Sequence, residues 1–147
     1  MPRRLFLFIA FACVGITTEI FFTAIVDAIN HVQAGTGIDW RLMGKSYIWM
    51  FPIYGLAGLL FPLLYDRIIK IPLVLRMCIY GIVILAIEFT TGAILDKLTG
   101  QCPWQYTSGW QVMGYIRLDY FPLWAGFGLL IERIYVFLSN LYDHVRA

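Results

Sequence analysis

The chain has 147 residues, 61% of them hydrophobic and only 14% charged. A single globule of that length has too little interior to hide so much apolar surface, which excludes an ordinary water-soluble domain. The net charge of +2 is too small to mark a nucleic-acid partner, so the expected surroundings are a lipid bilayer.

In chain order, four apolar segments reach the length of about 20 residues needed to cross a hydrocarbon core of roughly 30 Å as helix. They run approximately from Leu5 to Asn30, Tyr47 to Ile68, Ile71 to Leu98 and Tyr120 to Tyr142. The opening MPRRLFLFIAFAC imitates a secretory signal, but its apolar pattern continues through Phe21 and Phe22 with no A-x-A site. Ala10-Phe11-Ala12-Cys13 matches a lipoprotein box only loosely, so an uncleaved first helix is expected. The second segment carries no charge from Tyr47 to Tyr65, and its Pro52, Gly55, Gly58 and Pro62 predict a kinked or mobile helix. Charges interrupt the others: Glu19 and Asp27 in the first, Glu88 in the third, Glu132 with Arg133 in the fourth.

Between the third and fourth segments lies TGQCPWQYTSGWQVMGYIRLD, longer than the usual helix connection. Cys102, Trp104, Tyr106 and Trp110 make it a candidate lid, with Gly100, Pro103, Gly109 and Gly114 supplying turns. Trp110 and Tyr115 fit an aromatic belt at the water interface as well. Lys and Arg are more numerous at the two ends and in the link between segments two and three, which predicts both termini in the cytoplasm. Cys13, Cys78 and Cys102 lack metal-ligand spacing, and His31 and His144 are far apart, so neither a metal site nor a cofactor is expected.

The sequence repeats. A shift of 69 aligns Glu19 with Glu88, Ala24-Ile25 with Ala93-Ile94, and Asp27 with Asp96. A shift of 70 aligns Trp40 with Trp110, Met43-Gly44 with Met113-Gly114, Phe51-Pro52 with Phe121-Pro122, and Gly58-Leu59-Leu60 with Gly128-Leu129-Leu130. Two hairpins of two spans each enter from the same side, so they form parallel repeats about an axis along the membrane normal. At about 100° per residue, Glu19 shares a stripe with Ala12 and Gly15, Glu88 with Gly81 and Gly92, and Glu132 with Ala125 and Gly128. Small residues permit close helix approach, so these acids are expected to point into the bundle and to converge there. An ionised acid at mid-bilayer costs about 3 kcal/mol on insertion scales, which demands pairing, hydration or protonation. The plainer role is glue, with the acids hydrogen-bonded to Thr17, Thr18, Thr23, Thr90 or Thr91 of neighbouring helices.

EFTTGAIL (Glu88 to Leu95), CPWQYTS (Cys102 to Ser108), MGYIRLDYFPLW (Met113 to Trp124) and WMFPIYGLAGLL (Trp49 to Leu60) together resemble the transmembrane protein 229 family. That family is similar to bacterial proteins labelled ABC-transporter type IV, or CmpB-like. The resemblance runs from about Gly15 to Tyr135 and implies a transport role. It departs near the end of the second segment, where relatives carry an acid and this chain has Pro62-Leu63. No G-x-x-x-x-G-K-[ST] phosphate loop occurs, so any ATPase would be a separate chain.

The expected architecture is therefore all-α: a four-helix transmembrane bundle of two parallel hairpin repeats, about 5–70 and 71–142, in one integral membrane domain. The expected role is a permease-like or cation/proton-coupled transport component for a small cation or solute, oligomeric with itself or with other membrane subunits. Its site would comprise Glu19, Glu88, Glu132, Asp27 and Asp96. A non-transporting scaffold comes second. A lipid-modifying enzyme comes last, because no G-x-S-x-G, H-E-x-x-H or repeated histidine box is present and a generic pair of carboxylates is weak evidence for acid/base work.

Overall fold

Prolines and glycines decide where the helices begin and end. Pro2 and Pro72 are extended, with ψ of 145°, and stand immediately before α1 (Arg3–Gln33) and α3 (Leu73–Thr99). Their missing N–H falls where a helix has no use for one. Gly100, at φ 77°, closes α3 by donating its N–H to the Asp96 carbonyl at 2.8 Å. A left-handed cap of this kind suits glycine because no Cβ opposes it. In the computed structural model, which describes Met1–Arg146, the remaining helices are α2 (Met50–Ile68) and α4 (Phe121–Arg146).

The sequence reading assigned both prolines of α2 to a broken backbone. Pro52 is only its third residue, where the N–H is unpaired in any helix, and Pro122 likewise falls in the first turn of α4. Pro62 alone lies inside α2, where it deprives the Gly58 carbonyl of its partner.

The expected count of four spans is corrected to three. Among the described residues, α1, α3 and the segment Leu118–Arg146 are long and apolar enough to cross a membrane. The 19 residues of α2 do not reach that hydropathy, because they contain two prolines and end on Tyr65-Asp66-Arg67. The Lys and Arg count that predicts both termini in the cytoplasm is made for four crossings, and three candidate spans do not supply that arrangement. At 1.5 Å per residue the 31 residues of α1 extend about 46 Å, more than the hydrocarbon core is thick. Less than a third of the most apolar stretch of each candidate span is buried. Phe21, Phe22, Ile82, Leu123 and Phe137 are all 60% exposed or more, as lipid-facing side chains are.

The all-α expectation also needs an addition. The segment after α3 forms a two-stranded antiparallel hairpin, β1 (Gln111–Val112) with β2 (Ile116–Arg117), followed by one 3-10 turn at Leu118–Tyr120. Met113 and Gly114 both have positive φ, and the turn closes where the Tyr115 N–H meets the Val112 carbonyl at 3.1 Å. Two such residues in succession match the right-handed twist of a hairpin.

The chain divides into two compact units. One is Met1–Leu60 with the C-terminal end from His144; the other is Phe61–Asp143. The boundary lies inside α2, about ten residues before the expected repeat boundary. Inside the first unit, a Cβ on Gly58 would sit 2.4 Å from the Leu7 carbonyl oxygen, and one on Gly15 would sit 2.3 Å from the Tyr54 ring. Inside the second, a Cβ on Gly128 would sit 2.2 Å from that of Tyr80. Helix approach this close has room only for hydrogen.

Gly58→Ala and Gly128→Ala are accordingly expected to destabilise the protein in detergent by about 1–3 kcal/mol each, through overpacking. Gly126 has nothing within 4 Å of a built Cβ, so Gly126→Ala is expected to be neutral or to stabilise by up to about 1 kcal/mol. Thermal or denaturant unfolding of the three variants measures the contrast.

Candidate functional site

Gly92 and Gly114 let the segment after α3 fold back along that helix. A Cβ on Gly92 would lie 3.3 Å from both Cys102 Sγ and Tyr115 Cβ. The segment is braced internally: the Tyr106 N–H donates to the Gly114 carbonyl at 2.8 Å, and Trp104 Nε1 donates to the Tyr115 carbonyl at 3.1 Å. From this platform the Tyr106 hydroxyl donates to Glu88 Oε1 at 2.7 Å. Eight residues further along α3, past the Glu88 level, the Tyr115 hydroxyl donates to Asp96 Oδ2 at 2.7 Å. Burial, then the bond to Glu88, pushes the Tyr106 phenol up, which keeps it the donor.

The second Glu88 oxygen, Oε2, is buried without a hydrogen-bond partner, and so is Trp124 Nε1. The indole of Trp124 is a second neutral donor beside the carboxylate. No Lys, Arg or His pairs with Glu88 among the described residues.

In the other unit, Glu19 Oε2 accepts from Ser46 Oγ at 2.8 Å and from the Tyr54 hydroxyl at 3.1 Å. Here too a connecting segment folds back on its helix. The Lys45 N–H donates to Thr23 Oγ1 at 2.8 Å, and a Cβ on Gly44 would meet the Ile20 carbonyl oxygen at 2.0 Å. Glu19 also lacks a cationic partner among the described residues.

Glu132 is met differently. Arg76 Nη2 donates to its Oε1 at 3.1 Å, Arg76 Nε lies 3.0 Å from its Oε2, and the Tyr80 hydroxyl donates to Oε2 at 2.6 Å. The side chains are 12% and 5% exposed, so this is an interior ion pair. Phe61 packs against both Tyr80 and Tyr135, with ring centroids 5.2 Å and 5.6 Å apart. Arg76 and Glu88 are twelve residues apart on α3, about 18 Å of helix rise, so Glu88 and Glu132 hold different levels within their unit.

The remaining expected residues are placed as follows. Asp27 lies near the end of α1 on an open groove with Asn30 and His31, its Oδ2 3.5 Å from His31 Nδ1. Cys102 is buried and Trp104 is half-buried in the folded-back segment, whereas Trp110 is 75% exposed. That exposure suits the aromatic belt and removes Trp110 from direct contact with Glu88. The sequence reading missed Ser46, Tyr54, Arg76, Tyr80 and Trp124. Tyr54 and Trp124 carried a signal, since they are equivalent at the same shift of 70 that aligns Phe51-Pro52 with Phe121-Pro122.

Removing one member of the interior pair strands the other, so Arg76→Met is expected to cost about 3–5 kcal/mol in unfolding free energy. The double variant with Glu132→Leu is expected to recover most of that loss. Burial pushes the Cys102 thiol up, so less thiolate is present at a given pH above neutrality than for an ordinary cysteine. With Cys13 and Cys78 replaced by Ser, a water-soluble maleimide is expected to label Cys102 slowly at pH 8. Tyr106→Phe or Tyr115→Phe, each of which frees the segment, is expected to speed labelling several-fold.

The model of a family described as "Putative ABC-transporter type IV" matches residues 6–146. No solved structure matches the chain. The family match takes in all four helices and both folded-back segments, and by it the chain belongs to the family of ABC-transporter type IV membrane proteins.

Proposed function

We propose that the chain is a permease-like membrane component in which Glu88, and by repetition Glu19, form intramembrane carboxylate sites for a cation or proton coupled to a small solute. One observation carries the reading. Each of these acids is met by neutral donors and has no cation paired with it among the described residues, while Glu132 on α4 has its own arginine. An acid left uncompensated in an apolar helix costs about 3 kcal/mol on insertion scales, and a bound cation or proton removes that cost. The site thus favours occupancy in the membrane and release where water enters.

Equivalent contacts inside the two units support the repetition. Gly58 packs on Phe11, as Gly128 packs on Tyr80, and these pairs are related by shifts of 69 and 70. Residues 44–46 fold back past the acid in one unit, as residues 114–116 do in the other. Tyr54 attends Glu19, and its counterpart Trp124 attends Glu88. In this reading Tyr106 and the hairpin that carries it gate Glu88, and the Arg76–Glu132 pair fixes the helices around it. Asp96, bound by Tyr115, latches the gate. The largely unburied faces of the spans are where further copies or other membrane subunits dock, and an ATPase, if the family label holds here, is one of those subunits.

The test is flux in proteoliposomes. Wild-type protein is expected to move protons, inorganic cations or small solutes, Glu88→Gln to abolish the movement, and Tyr106→Phe to alter its rate several-fold. No flux of any of these, alone or with co-purifying subunits, removes the reading. A stable complex with another membrane protein that is lost on Glu19→Ala, again without flux, establishes a scaffold instead.

A further inference from the structure

The charges of α3 mark depth along that helix. Between Arg76 and Asp96 the one charged residue is Glu88, and the interval is about 30 Å of helix, the thickness of a hydrocarbon core. With Arg76 and Asp96 at its two boundaries, Glu88 lies about 12 Å inside the Asp96 side.

The segment after α3 crosses that boundary. The Tyr115 hydroxyl meets Asp96, Cys102 Sγ and Tyr115 Cβ lie against Gly92, and the Tyr106 hydroxyl meets Glu88. A Cβ on Gly81 would lie 3.3 Å from the backbone N of Ala125. Phe121, four residues earlier on the antiparallel α4, is therefore level with Leu85, and the 3-10 turn before it is near the level of Glu88. Trp110 belongs to the same level, since its carbonyl accepts from the Leu118 N–H and its N–H donates to Asp119. Leu118–Arg146 has the length and apolarity of a span, but in this register α4 begins inside the core and the segment fills the space on the Asp96 side.

Sliding the bilayer along α3 until the segment stood in water would draw the link between α2 and α3 into hydrocarbon. Arg76 ties that link to the Glu132 level by donating to the Ile69 carbonyl at 3.1 Å. Asp66, Arg67, Lys70 and Arg133 are exposed and form no ion pair among the described residues, so each would bear the penalty of an unpaired ion in lipid. The segment after α3 is fitted to the core instead. Its two charges, Arg117 and Asp119, are paired with each other. β1 pairs with β2, and the N–H groups of Tyr106, Trp110 and Leu118 all have acceptors. Non-helical backbone persists at such depth only where its polar groups are met by protein or by cavity water. Gln105, Thr107 and Ser108, exposed and neutral, are its polar part; Trp110, Met113 and Leu118, at 75%, 70% and 47% exposure, are its apolar part.

We propose that residues 101–120 form a re-entrant element seated in the Asp96 half of the bilayer, with Trp110, Met113 and Leu118 in contact with acyl chains. The exposure of Trp110 by itself fits the water interface; its level along α3 places it deeper. The proposal holds whether or not Glu88 takes a ligand.

The probe is a nitroxide on a single cysteine of the full-length protein in liposomes, with Cys13, Cys78 and Cys102 replaced by Ser. Trp110→Cys and Met113→Cys are compared with two exposed references on α3, Ile82→Cys inside the core and Leu98→Cys beyond Asp96. Collision with oxygen, which concentrates in hydrocarbon, relative to a water-soluble nickel chelate reads depth. The ratio at Trp110→Cys is expected to match that at Ile82→Cys and to exceed that at Leu98→Cys several-fold, with Met113→Cys between them. Ratios at both hairpin sites equal to that at Leu98→Cys put the segment in water and overturn the proposal. Protection from both reagents means that a second copy or another subunit covers this face, and overturns it as well. Should the cysteine-free background fail to fold, quenching of native tryptophan emission by brominated phospholipids takes its place. Trp110→Phe is then expected to lower the quenchable share of the emission, and an unchanged share overturns the proposal.

Discussion

A carboxylate set in an apolar helix must be met by opposite charge or by hydrogen-bond donors, and within Phe61–Asp143 the chain uses both solutions. Glu132 receives the Arg76 guanidinium and the Tyr80 hydroxyl, which together satisfy both of its oxygens. Glu88 receives a single phenolic proton from Tyr106. The proposed function rests on this difference. A fully paired acid has no reason to bind anything further, and stripping one partner from it damages the fold. An acid met by neutral donors alone keeps an unmatched charge, which in the proposed reading an incoming cation or proton compensates.

What positions that donor is a segment much more ordered than its length suggests. The turn at Met113-Gly114 sends the chain back on itself, the Arg117–Asp119 pair and the Trp110 N–H to Asp119 brace the return, and the Tyr115 hydroxyl pins it to Asp96. Each of these contacts lies within the segment or on the last turns of α3. In the proposed reading the hairpin lifts as one piece and frees Tyr106 from Glu88 while the helices keep their packing at Gly81 and Gly128, which is what a gate requires.

Much of this was legible in the residues, and the parts that were not have physical reasons. The three long apolar helices followed from hydropathy, and the close contacts at Gly15 and Gly128 followed from small residues on acid-bearing stripes. The shift of 70 that aligns Phe51-Pro52 with Phe121-Pro122 also aligns Tyr54 with Trp124. The fourth span was misread because Tyr47 to Tyr65 looks charge-free, while the helix itself starts at Met50 and ends on Asp66, Arg67 and Ile68. The hairpin was missed because two-residue strands give too little alternation to distinguish them from a loop. The partner of Glu132 was missed because Arg76 sits in the first turn of α3, where a basic residue reads as an interfacial anchor. Only the antiparallel course of α3 and α4 puts it level with Glu132. Ser46 and Tyr106, which donate to Glu19 and Glu88, come from connecting segments, whose return path no periodicity records.

The account stands or falls on whether the Glu88 carboxyl group is the one that responds to ligand. Infrared difference spectra of the reconstituted protein, taken with and without cation and compared between wild type and Glu88→Gln, isolate that group. The account predicts a carboxyl band that is absent in Glu88→Gln, shifts when cation binds and is already displaced in Tyr106→Phe. A Glu88 band that ignores both the cation and the loss of the Tyr106 hydroxyl would contradict it.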